Sequence, residues 1–499
     1  MKITFVYPDI LEIVPDYKGA FYMGIAILSA VLKREGHETS LIHITDPEYD
    51  LPRFEADLSV HQPNLIAFSS TTNGWERVRH LAGFLASRGS TIPTIYGGIH
   101  PTLAPQECIA APGIDMIAIG ESEQPLANLC RALQQGQEFD KIPNLWVKKG
   151  STVIRNPLSP LLQNLDDLPF ADRALFDYPN LHFELQGAAT IMASRGCPFA
   201  CTYCCNTALR RLYNDLGSYV RFRSVRNVID EIKQVRRDYA FVRRVHFDDD
   251  ILFLRREWAE EFADLYVREV RLPFCCNVHP SLCTAQNVET LARAGCDELR
   301  IGIESGNEMI RRTVLGRSLD EGKILEAFAL ARSKGMRTLS FNMVGIPDET
   351  PSCILESVKL NARAGVDEIQ LTAFHPYPGS ALYEVCLEKG MISKRRVTSY
   401  YVDSILDLPD LSREQLRMFQ RYFCTFSRVY RKVFRLPTPV RKAAEWLLDG
   451  ILTSRMAPSL LRGIRPIAHR VGVVLRVLMR RNRSKLKCVN QERPGLKEP

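Results

Sequence analysis

Arg195-Gly196-Cys197-Pro198-Phe199-Ala200-Cys201-Thr202-Tyr203-Cys204-Cys205-Asn206 is the stretch on which the reading of this 499-residue chain turns. Its cysteines fall at the spacing C-x3-C-x2-C, with Cys205 directly adjacent to the last of them. Cysteine thiolates are the usual ligands of iron–sulfur clusters. Three such ligands can hold only three irons of a [4Fe–4S] cube, so the fourth iron stays open to another group. Zinc is the competing metal, but a zinc knot needs a fourth Cys or His at matched spacing, and Cys205 stands too close to Cys204 to share one ion with it. Gly196 and Pro198 suit a tight loop that wraps its backbone around a cluster. The preceding Ala189-Thr190-Ile191-Met192-Ala193-Ser194 reads as a buried strand, which puts the cysteines on the loop after it.

Downstream, strand-like and helical runs alternate. Strands are expected at 190–193, 244–248, 274–278, 298–303, 338–344 and 368–374, with helices at 225–239, 257–270, 285–294, 321–334 and 352–364. Six such units predict a parallel β/α barrel, closed or partial, with its chemistry at the carboxyl ends of the strands. Polar residues gather at those ends: Asp248-Asp249-Asp250, Gly302-Ile303-Glu304-Ser305-Gly306, Val344-Gly345-Ile346-Pro347 and Pro376-Tyr377-Pro378-Gly379-Ser380. The aspartate run reads equally well as the acidic start of a helix. Asn277, His279, Arg300 and Asn342 are candidates to touch a substrate, against the commoner role of a satisfied structural group. Cys275, Cys276, Cys283 and Cys296 read as core thiols, since their spacing is not that of a ferredoxin-type run.

Upstream, strands at 3–7, 39–44, 65–69, 94–97 and 116–119 alternate with helices at 23–35, 75–87 and 123–134. This pattern predicts a doubly wound parallel sheet that binds ligands at the carboxyl ends of its strands. Three loops lie at that edge: Ser69-Ser70-Thr71-Thr72, Gly97-Gly98-Ile99-His100-Pro101-Thr102 and Gly120-Glu121-Ser122-Glu123. No G-x-G-x-x-G follows the first strand, which disfavours a dinucleotide. A stretch rich in Pro and Asp, with Leu165-Asp166-Asp167-Leu168-Pro169, reads as a linker over 151–188. The expected organisation is a sheet domain over 1–150, that linker, a barrel over 189–390 and a helical region over 391–499.

A composition of 45% hydrophobic and 24% charged residues is that of a globular protein, and no apolar run has the length of a membrane span. The N-terminus reads as a strand, not a signal peptide. Fourteen cysteines without an export signal point to a reducing, cytoplasmic compartment. The net charge of +8 is unevenly spread: between Ser412 and Cys488, 19 Lys and Arg stand against three acids, so the body before them is net negative. Helices are expected at 413–433, 440–452 and around 460–479, with Leu416, Phe419, Phe423 and Phe426 packing inward. The last carries Val471, Val473, Val474, Leu475, Val477 and Leu478 among Arg470, Arg476, Arg480 and Arg481. A basic amphipathic helix of this kind suits an anionic membrane or an acidic partner, and a solvated face with snorkelling arginines explains it equally well. Nucleic acid is disfavoured because no recognised binding fold accompanies the charge.

The cysteine stretch resembles the radical S-adenosylmethionine (SAM) superfamily, whose motif C-x3-C-x-Φ-C has Tyr203 here as the aromatic Φ. The run Tyr96-Gly97-Gly98-Ile99-His100-Pro101-Thr102, with Ile119-Gly120-Glu121 after it, resembles the cobalamin-binding domain that precedes the barrel in one group of that superfamily. The resemblance implies an α/β fold: a Rossmann-like cobalamin-binding domain, a partial (β/α)6 radical SAM barrel and a basic helical C-terminal region. It implies Cys197, Cys201 and Cys204 as ligands of a [4Fe–4S] cluster. It also implies Tyr203, Asp248, Glu304, Ser305, Gly345 and Pro347 around SAM, and Ser69, Thr71, Gly97, Gly98, His100, Gly120 and Glu121 around cobalamin. The D-x-H-x-x-G motif of His-ligated cobalamin proteins is absent, so His100 is expected in the loop and not on cobalt. In the family, SAM chelates the open iron and an electron from a flavodoxin- or ferredoxin-type donor releases a 5′-deoxyadenosyl radical. The implied activity is methyl transfer to an unactivated carbon, or to phosphorus, of a small-molecule or lipid-like metabolite. Cyclisation or rearrangement, as in the anaerobic cyclase of chlorophyll synthesis, is the alternative within the class. A non-catalytic cobalamin or redox sensor is the alternative outside it, against which Glu304-Ser305 argues as a SAM-binding edge. Peripheral contact of the basic tail with the inner face of the membrane completes the expectation.

Overall fold

A computed structural model of the chain describes residues 1–461, apart from 12, 13, 15, 396–400 and 402, together with the backbone of 487 and 488. The chain folds into two compact units. One comprises Met1–Leu252, Glu260–Phe274 and Tyr377–Tyr383; the other comprises Phe253–Ala259, Cys275–Pro376 and Glu384–Pro499.

The first unit opens with β1 (Lys2–Pro8), α1 (Met23–Arg34), β2 (Glu38–Ile44), α2 (Leu51–His61), β3 (Leu65–Ser69), α3 (Trp75–Ser87) and β4 (Thr94–Gly97). It continues through α4 (Ile99–Leu103), α5 (Pro105–Ala110), β5 (Met116–Ala118), α6 (Glu123–Gln135), β6 (Leu145–Lys149) and β7 (Thr152–Arg155). These strands form one sheet in the order β2-β1-β3-β4-β5-β6-β7, parallel as far as β5 and antiparallel beyond it. The strand order reverses direction beside β1, which opens a crevice at the carboxyl ends of β1 and β3. Alternation along β1 explains the two-sided core. Ile3, Phe5 and Tyr7 face a cluster with Leu126 and Leu129 of α6, while Val6 faces Phe54, Phe68 and Val78 on the other side.

The five parallel strands lie where the sequence predicts them. β6, β7, α2, α4 and α5 are additions: α4 takes up most of the loop expected over 97–102, and β7 falls inside the stretch read as linker. The rest of that stretch is no loose spacer: Phe176, Tyr178 and Leu181 are buried in the same cluster as β1 and α6.

The unit then carries β8 (Ala188–Ile191), β9 (Ser194–Arg195), α7 (Cys205–Leu212), β10 (Arg221–Phe222), α8 (Val225–Asp238) and β11 (Arg244–Phe247). β8 and β11 pair in parallel, and β9 pairs with β10 in an antiparallel ribbon. Ser224 caps α8 by accepting from the Asn227 N–H.

Beyond β11 the chain continues through α9 (Arg256–Glu269), β12 (Phe274–Val278), α10 (Ala285–Ala294), β13 (Cys296–Glu304), α11 (Glu321–Ser333), β14 (Arg337–Val344), α12 (Pro351–Ala364), β15 (Glu368–Ala373) and α13 (Ala381–Glu388). In the second unit β13, β14 and β15 pair in parallel, the strand pattern of a half-barrel. Thr284, Asp320 and Thr350 cap α10, α11 and α12. The helical region holds α14 (Arg413–Val433), opened by a Ser412–Gln415 capping box, and α15 (Thr438–Thr453). The backbone of β16 (Lys487–Cys488) pairs with β15. Leu416, Phe419, Phe423 and Phe426 are buried, as their spacing predicts. The helix expected around 460–479 lies almost wholly outside the described residues. No helix among the described residues is long and apolar enough to cross a membrane.

Candidate active site

The cysteine loop leaves β9 at Gly196, whose φ of +86° is in the left-handed region and whose Cβ, if present, would stand 2.4 Å from the Tyr219 carbonyl oxygen. Only glycine fits there. α7 starts at Cys205, and Cys204 occupies its N-cap position. Thr207 Oγ1 donates to the Cys201 carbonyl at 2.9 Å, and the Leu382 N–H donates to the Thr202 carbonyl at 3.0 Å. Asp249 anchors the strand end before the loop. It is fully buried and accepts from the Ala193 N–H at 3.0 Å and from Ser194 Oγ at 2.5 Å. Of the three consecutive aspartates, then, Asp249 holds the backbone, while Asp248 and Asp250 open onto a cavity.

The thiols of this loop are not equivalent. A hydrogen bond from Cys205 brings Cys204 down to about 7, whereas Cys205 itself is pushed far up by that bond and by burial. Burial pushes Cys197 up to about 12, and the nearby Cys204 and Cys201 add to that rise. Asn206 Nδ2 stands 3.7 Å from Cys204 Sγ and donates to Asp250 at 3.0 Å, while Tyr219 Oη donates to Asn206 Oδ1 at 2.6 Å. Cys201 is buried, and Tyr203 is half-buried between Cys201 and Cys204. Among the described residues no three Cys, His, Asp or Glu side chains stand as a preformed metal cage. The chemistry of the donor set nevertheless fits a cluster: three neighbouring thiols share one loop, and a fourth, Cys205, is held protonated as a donor.

A cavity of about 570 Å³ lies at the carboxyl edge of the first sheet. Phe5, Phe68, Ser69, Gly97, Gly98 and Gly120 wall it on the sheet side, and Gly196, Cys205 and Asn206 of the cysteine loop wall it on the other. Gly98 has φ +107°, and a Cβ there would meet the Ser70 carbonyl oxygen at 2.8 Å, so bare backbone forms this wall. Bare backbone beside apolar side chains fits a large, flat, amide-rimmed cofactor such as cobalamin. No histidine lines the cavity among the described residues. His100 lies outside it, 2% exposed, with Nδ1 at 3.2 Å from Thr72 Oγ1 and its ring 5.3 Å from that of Trp75. Burial holds its pKa low, which favours a neutral imidazole. Thr71 is also absent from the lining, whereas Glu121 belongs to it.

Glu121 does more than line the wall. Its carboxylate accepts from Arg221 Nη1 and Nη2 at 2.9 and 2.7 Å and from Arg195 Nη1 at 3.0 Å. Arg195 also reaches Glu123 at 2.6 Å, and the Glu121 N–H donates to Tyr213 Oη at 2.7 Å. Arg195 immediately precedes Gly196, so this ion cluster ties the cysteine loop to the first sheet. The sequence gives no local sign of it, because Glu121 and Arg195 are 74 residues apart.

In the second unit, Glu304 ends β13 with φ +63°, beside a register shift between Gly302 and Glu304. Arg317 reaches Glu304 Oε1 at 3.4 Å and the Gly302 carbonyl at 2.9 Å. Ser305 is fully buried, and Arg311 Nη1 donates to the carbonyls of Ser305 and Gly306 at 2.9 and 2.7 Å. Gly345, at φ +78°, and Pro347 follow β14. The N–H groups of Gly345 and Ile346 donate to Glu349 Oε2 at 2.6 and 3.2 Å. Asn342 is spent inside the fold, bonded to Ser340 Oγ at 2.9 Å and to Asn361 Nδ2 at 2.7 Å. Arg300 pairs with Glu298 at 2.9 Å, and His279 Nδ1 sits 2.7 Å from Ser281 Oγ.

Comparison with known proteins finds two family models on the chain. A model of the Radical SAM superfamily matches residues 191–361, and a model of the B12 binding domain matches residues 20–130. The chain is 24% identical to an uncharacterised methyltransferase of Pyrococcus horikoshii, over 85% of this chain and 92% of the relative. It is 22% identical to the anaerobic magnesium-protoporphyrin IX monomethyl ester cyclase of Rubrivivax gelatinosus, over 85% of this chain and 77% of the relative. Its fold is similar to that of the radical SAM methyltransferase TsrM from Kitasatospora setae, solved with cobalamin and a [4Fe-4S] cluster bound. That match has a TM-score of 0.63 at 18% identity, over 79% of this chain and 76% of that one.

Proposed function

We propose that the chain is a cobalamin-dependent methyltransferase of the radical SAM superfamily, in the group that carries an N-terminal B12-binding domain. The reaction is methyl transfer to an unactivated carbon, or to phosphorus, of a small-molecule or lipid-like metabolite. One observation carries the reading: a single cavity within the first unit is walled by Gly97, Gly98 and Gly120 of the sheet and by Gly196, Cys205 and Asn206 of the cysteine loop. When bound, the cluster and SAM supply hydrogen abstraction from substrate, and cobalamin supplies the methyl group.

The chain's own residues bind and orient these groups. Cys197, Cys201 and Cys204 are the ligands we assign to the cluster, with Asn206 and Cys205 hydrogen-bonding to Cys204. Tyr203, Asp248, Glu304, Ser305, Gly345 and Pro347 are the residues we assign to SAM. Ser69, Gly97, Gly98, Gly120 and Glu121 are those we assign to cobalamin, with Thr71 and His100 supporting the loops from outside the cavity. An external electron donor of flavodoxin or ferredoxin type, a cytoplasmic setting and peripheral membrane contact through the basic C-terminal helices belong to the same proposal.

The test is to reconstitute the cluster under anaerobic conditions, add dithionite and SAM carrying a labelled methyl group, and follow both 5′-deoxyadenosine and label. Loss of 5′-deoxyadenosine formation would favour a non-catalytic sensor. The R. gelatinosus cyclase matches as much of this chain as the methyltransferase relative does, so ring formation is the second reading. It would show as 5′-deoxyadenosine without label in product.

A further inference from the structure

Helix α15 is built inside out. Its inward contacts are polar: Asp449 pairs with Lys359 Nζ at 2.5 Å and accepts from the Tyr430 hydroxyl at 2.6 Å, and Leu452 is its only fully buried residue. Outward, Val440, Trp446, Leu447 and Ile451 are 53, 79, 56 and 40% exposed. Val440, Leu447 and Ile451 recur at helical spacing, so they share one face, with Trp446 beside it. Leu436 before the helix, and Met456 and Leu460 after it, are exposed as well. A surface helix ordinarily turns its apolar stripe to the core. An exposed apolar patch of this extent marks a contact surface. Beside it, a cavity of about 680 Å³ opens between Leu355 and Lys359 of α12 and Trp446, Leu447 and Ile451.

Charge decides what covers the patch. Lys432, Arg435, Lys442 and Arg455 are exposed around it. The only two acids between Phe434 and Leu461 are already engaged, Glu445 with Arg441 at 3.4 Å and Asp449 with Lys359. A second copy of the chain would bring like charges together in a two-fold contact. The chain beyond Leu461 is no better matched, because residues 462–487 hold nine Lys and Arg and no acid. An anionic lipid surface complements all three features at once: apolar side chains to insert, a Trp suited to the interface, and a cationic rim.

We propose that the outward face of α15, with Leu436, Met456 and Leu460, docks on an anionic membrane. This gives the membrane contact of the preceding proposal a surface. It stands apart from methyl transfer, whose failure would leave it untouched.

The test is flotation of the full-length protein with vesicles of phosphatidylcholine alone and of phosphatidylcholine with phosphatidylglycerol. The parent should float with the anionic vesicles at low salt and much less at high salt. Trp446→Glu with Leu447→Glu should lower the bound fraction about tenfold or more, since it removes insertion and adds two like charges. Lys442→Glu with Arg455→Glu should weaken binding and flatten its salt dependence. In both variants the melting temperature and the 5′-deoxyadenosine yield should stay at the parent's values. Four results would each overturn the proposal. They are a parent that ignores anionic vesicles, an undiminished Trp446/Leu447 variant, a parent dimer that dissociates in that variant, and a sharp fall in its melting temperature, which would mean that the patch is covered from within.

Discussion

Replacing Glu121 by Gln tests whether the cysteine loop is held to the sheet by charge. The carboxylate accepts three guanidinium hydrogen bonds, two from Arg221, whose side chain is 5% exposed, and one from Arg195. Removing one partner of a buried ion pair costs about 3–5 kcal/mol, because the charge left behind is uncompensated. Two features reduce that figure here. Glu121 is 21% exposed, and both arginines keep other acceptors, Glu123 at 2.6 Å for Arg195 and the Leu162 carbonyl at 2.8 Å for Arg221. A loss of about 2–3 kcal/mol follows, which lowers the melting temperature of a unit this size by roughly 4–12 °C.

The pH dependence has a definite sign. Burial alone would raise the Glu121 carboxyl, but the hydrogen bonds from Arg221 and the charges of both arginines outweigh it and hold the carboxyl below the ordinary range. Such a group contributes stability above its ordinary value of about 4.3, and that stability is lost as pH falls through the folded value. The gap between parent and Glu121→Gln should therefore close on acidification. Thermal melts followed by circular dichroism between neutral and acidic pH read both effects, and a cycle with Arg221→Met isolates the pair. A variant that melts within about 1 °C of the parent yet binds cobalamin far more weakly would refute the reasoning, making Glu121 a cofactor contact and no strut.

Other predictions are independent of that one. Cys197→Ala, Cys201→Ala and Cys204→Ala should each abolish iron loading, while Cys205→Ala should spare it, with iron and sulfide analysis as the measurement. Full loading by Cys201→Ala would sink the ligand assignment. His100→Ala should leave the cobalt spectrum of bound cobalamin in its base-off form, since the imidazole lies outside the cavity; a spectrum showing loss of a nitrogen ligand would contradict this. Burial pushes Glu349 up to about 8, against the lowering effect of the Ile346 and Gly345 N–H groups. A carboxyl raised on folding contributes stability that is full below its ordinary value and is lost as pH rises toward 8, so the parent should lose melting temperature across that window. Glu349→Gln should stay flat, and parallel curves would refute the assignment.

Much of this architecture is legible because its signals are local. The short apolar run of β1, buried from Ile3 onward, and the capping residues of α8, α10, α11 and α12 mark themselves in the sequence. The elements that escape are those whose signal is thin or distant. Only Phe54 and Leu58 of α2 are buried, too few to set a helical stripe. β6 and β7 pair antiparallel on a sheet whose other connections predict parallel strands only. Three identical aspartates hide which one is structural, and only the fold shows Asp249 clamping Ala193 and Ser194. His100 looks like a residue lining the cobalamin loop because it follows Gly97-Gly98, but the first turn of α4 carries it to the buried side against Trp75.

The residues between β7 and β8 argue against a hinge there. Asp172 accepts from Ser29 Oγ at 2.5 Å and from Lys33 Nζ at 2.7 Å, both on α1. Its neighbour Arg173 donates to Glu231 on α8 at 2.7 Å and to the Thr190 carbonyl on β8 at 2.9 Å. Arg223 holds the other oxygen of Glu231 at 2.5 Å. Two consecutive residues thus pin helices from the two halves of the first unit, on a segment whose Phe176 and Tyr178 are already in the core. The Arg195–Glu121–Arg221 cluster makes the second tie. Both ties are ionic, and the cavity between them explains why. Apolar side chains long enough to join the sheet to the cysteine loop would fill the space a cofactor needs, whereas guanidinium–carboxylate pairs bridge it at the rim with fixed geometry. The cavity is therefore held open by its own frame, and the cobalamin proposed to enter it would meet a wall already in place, at little cost in ordering the chain.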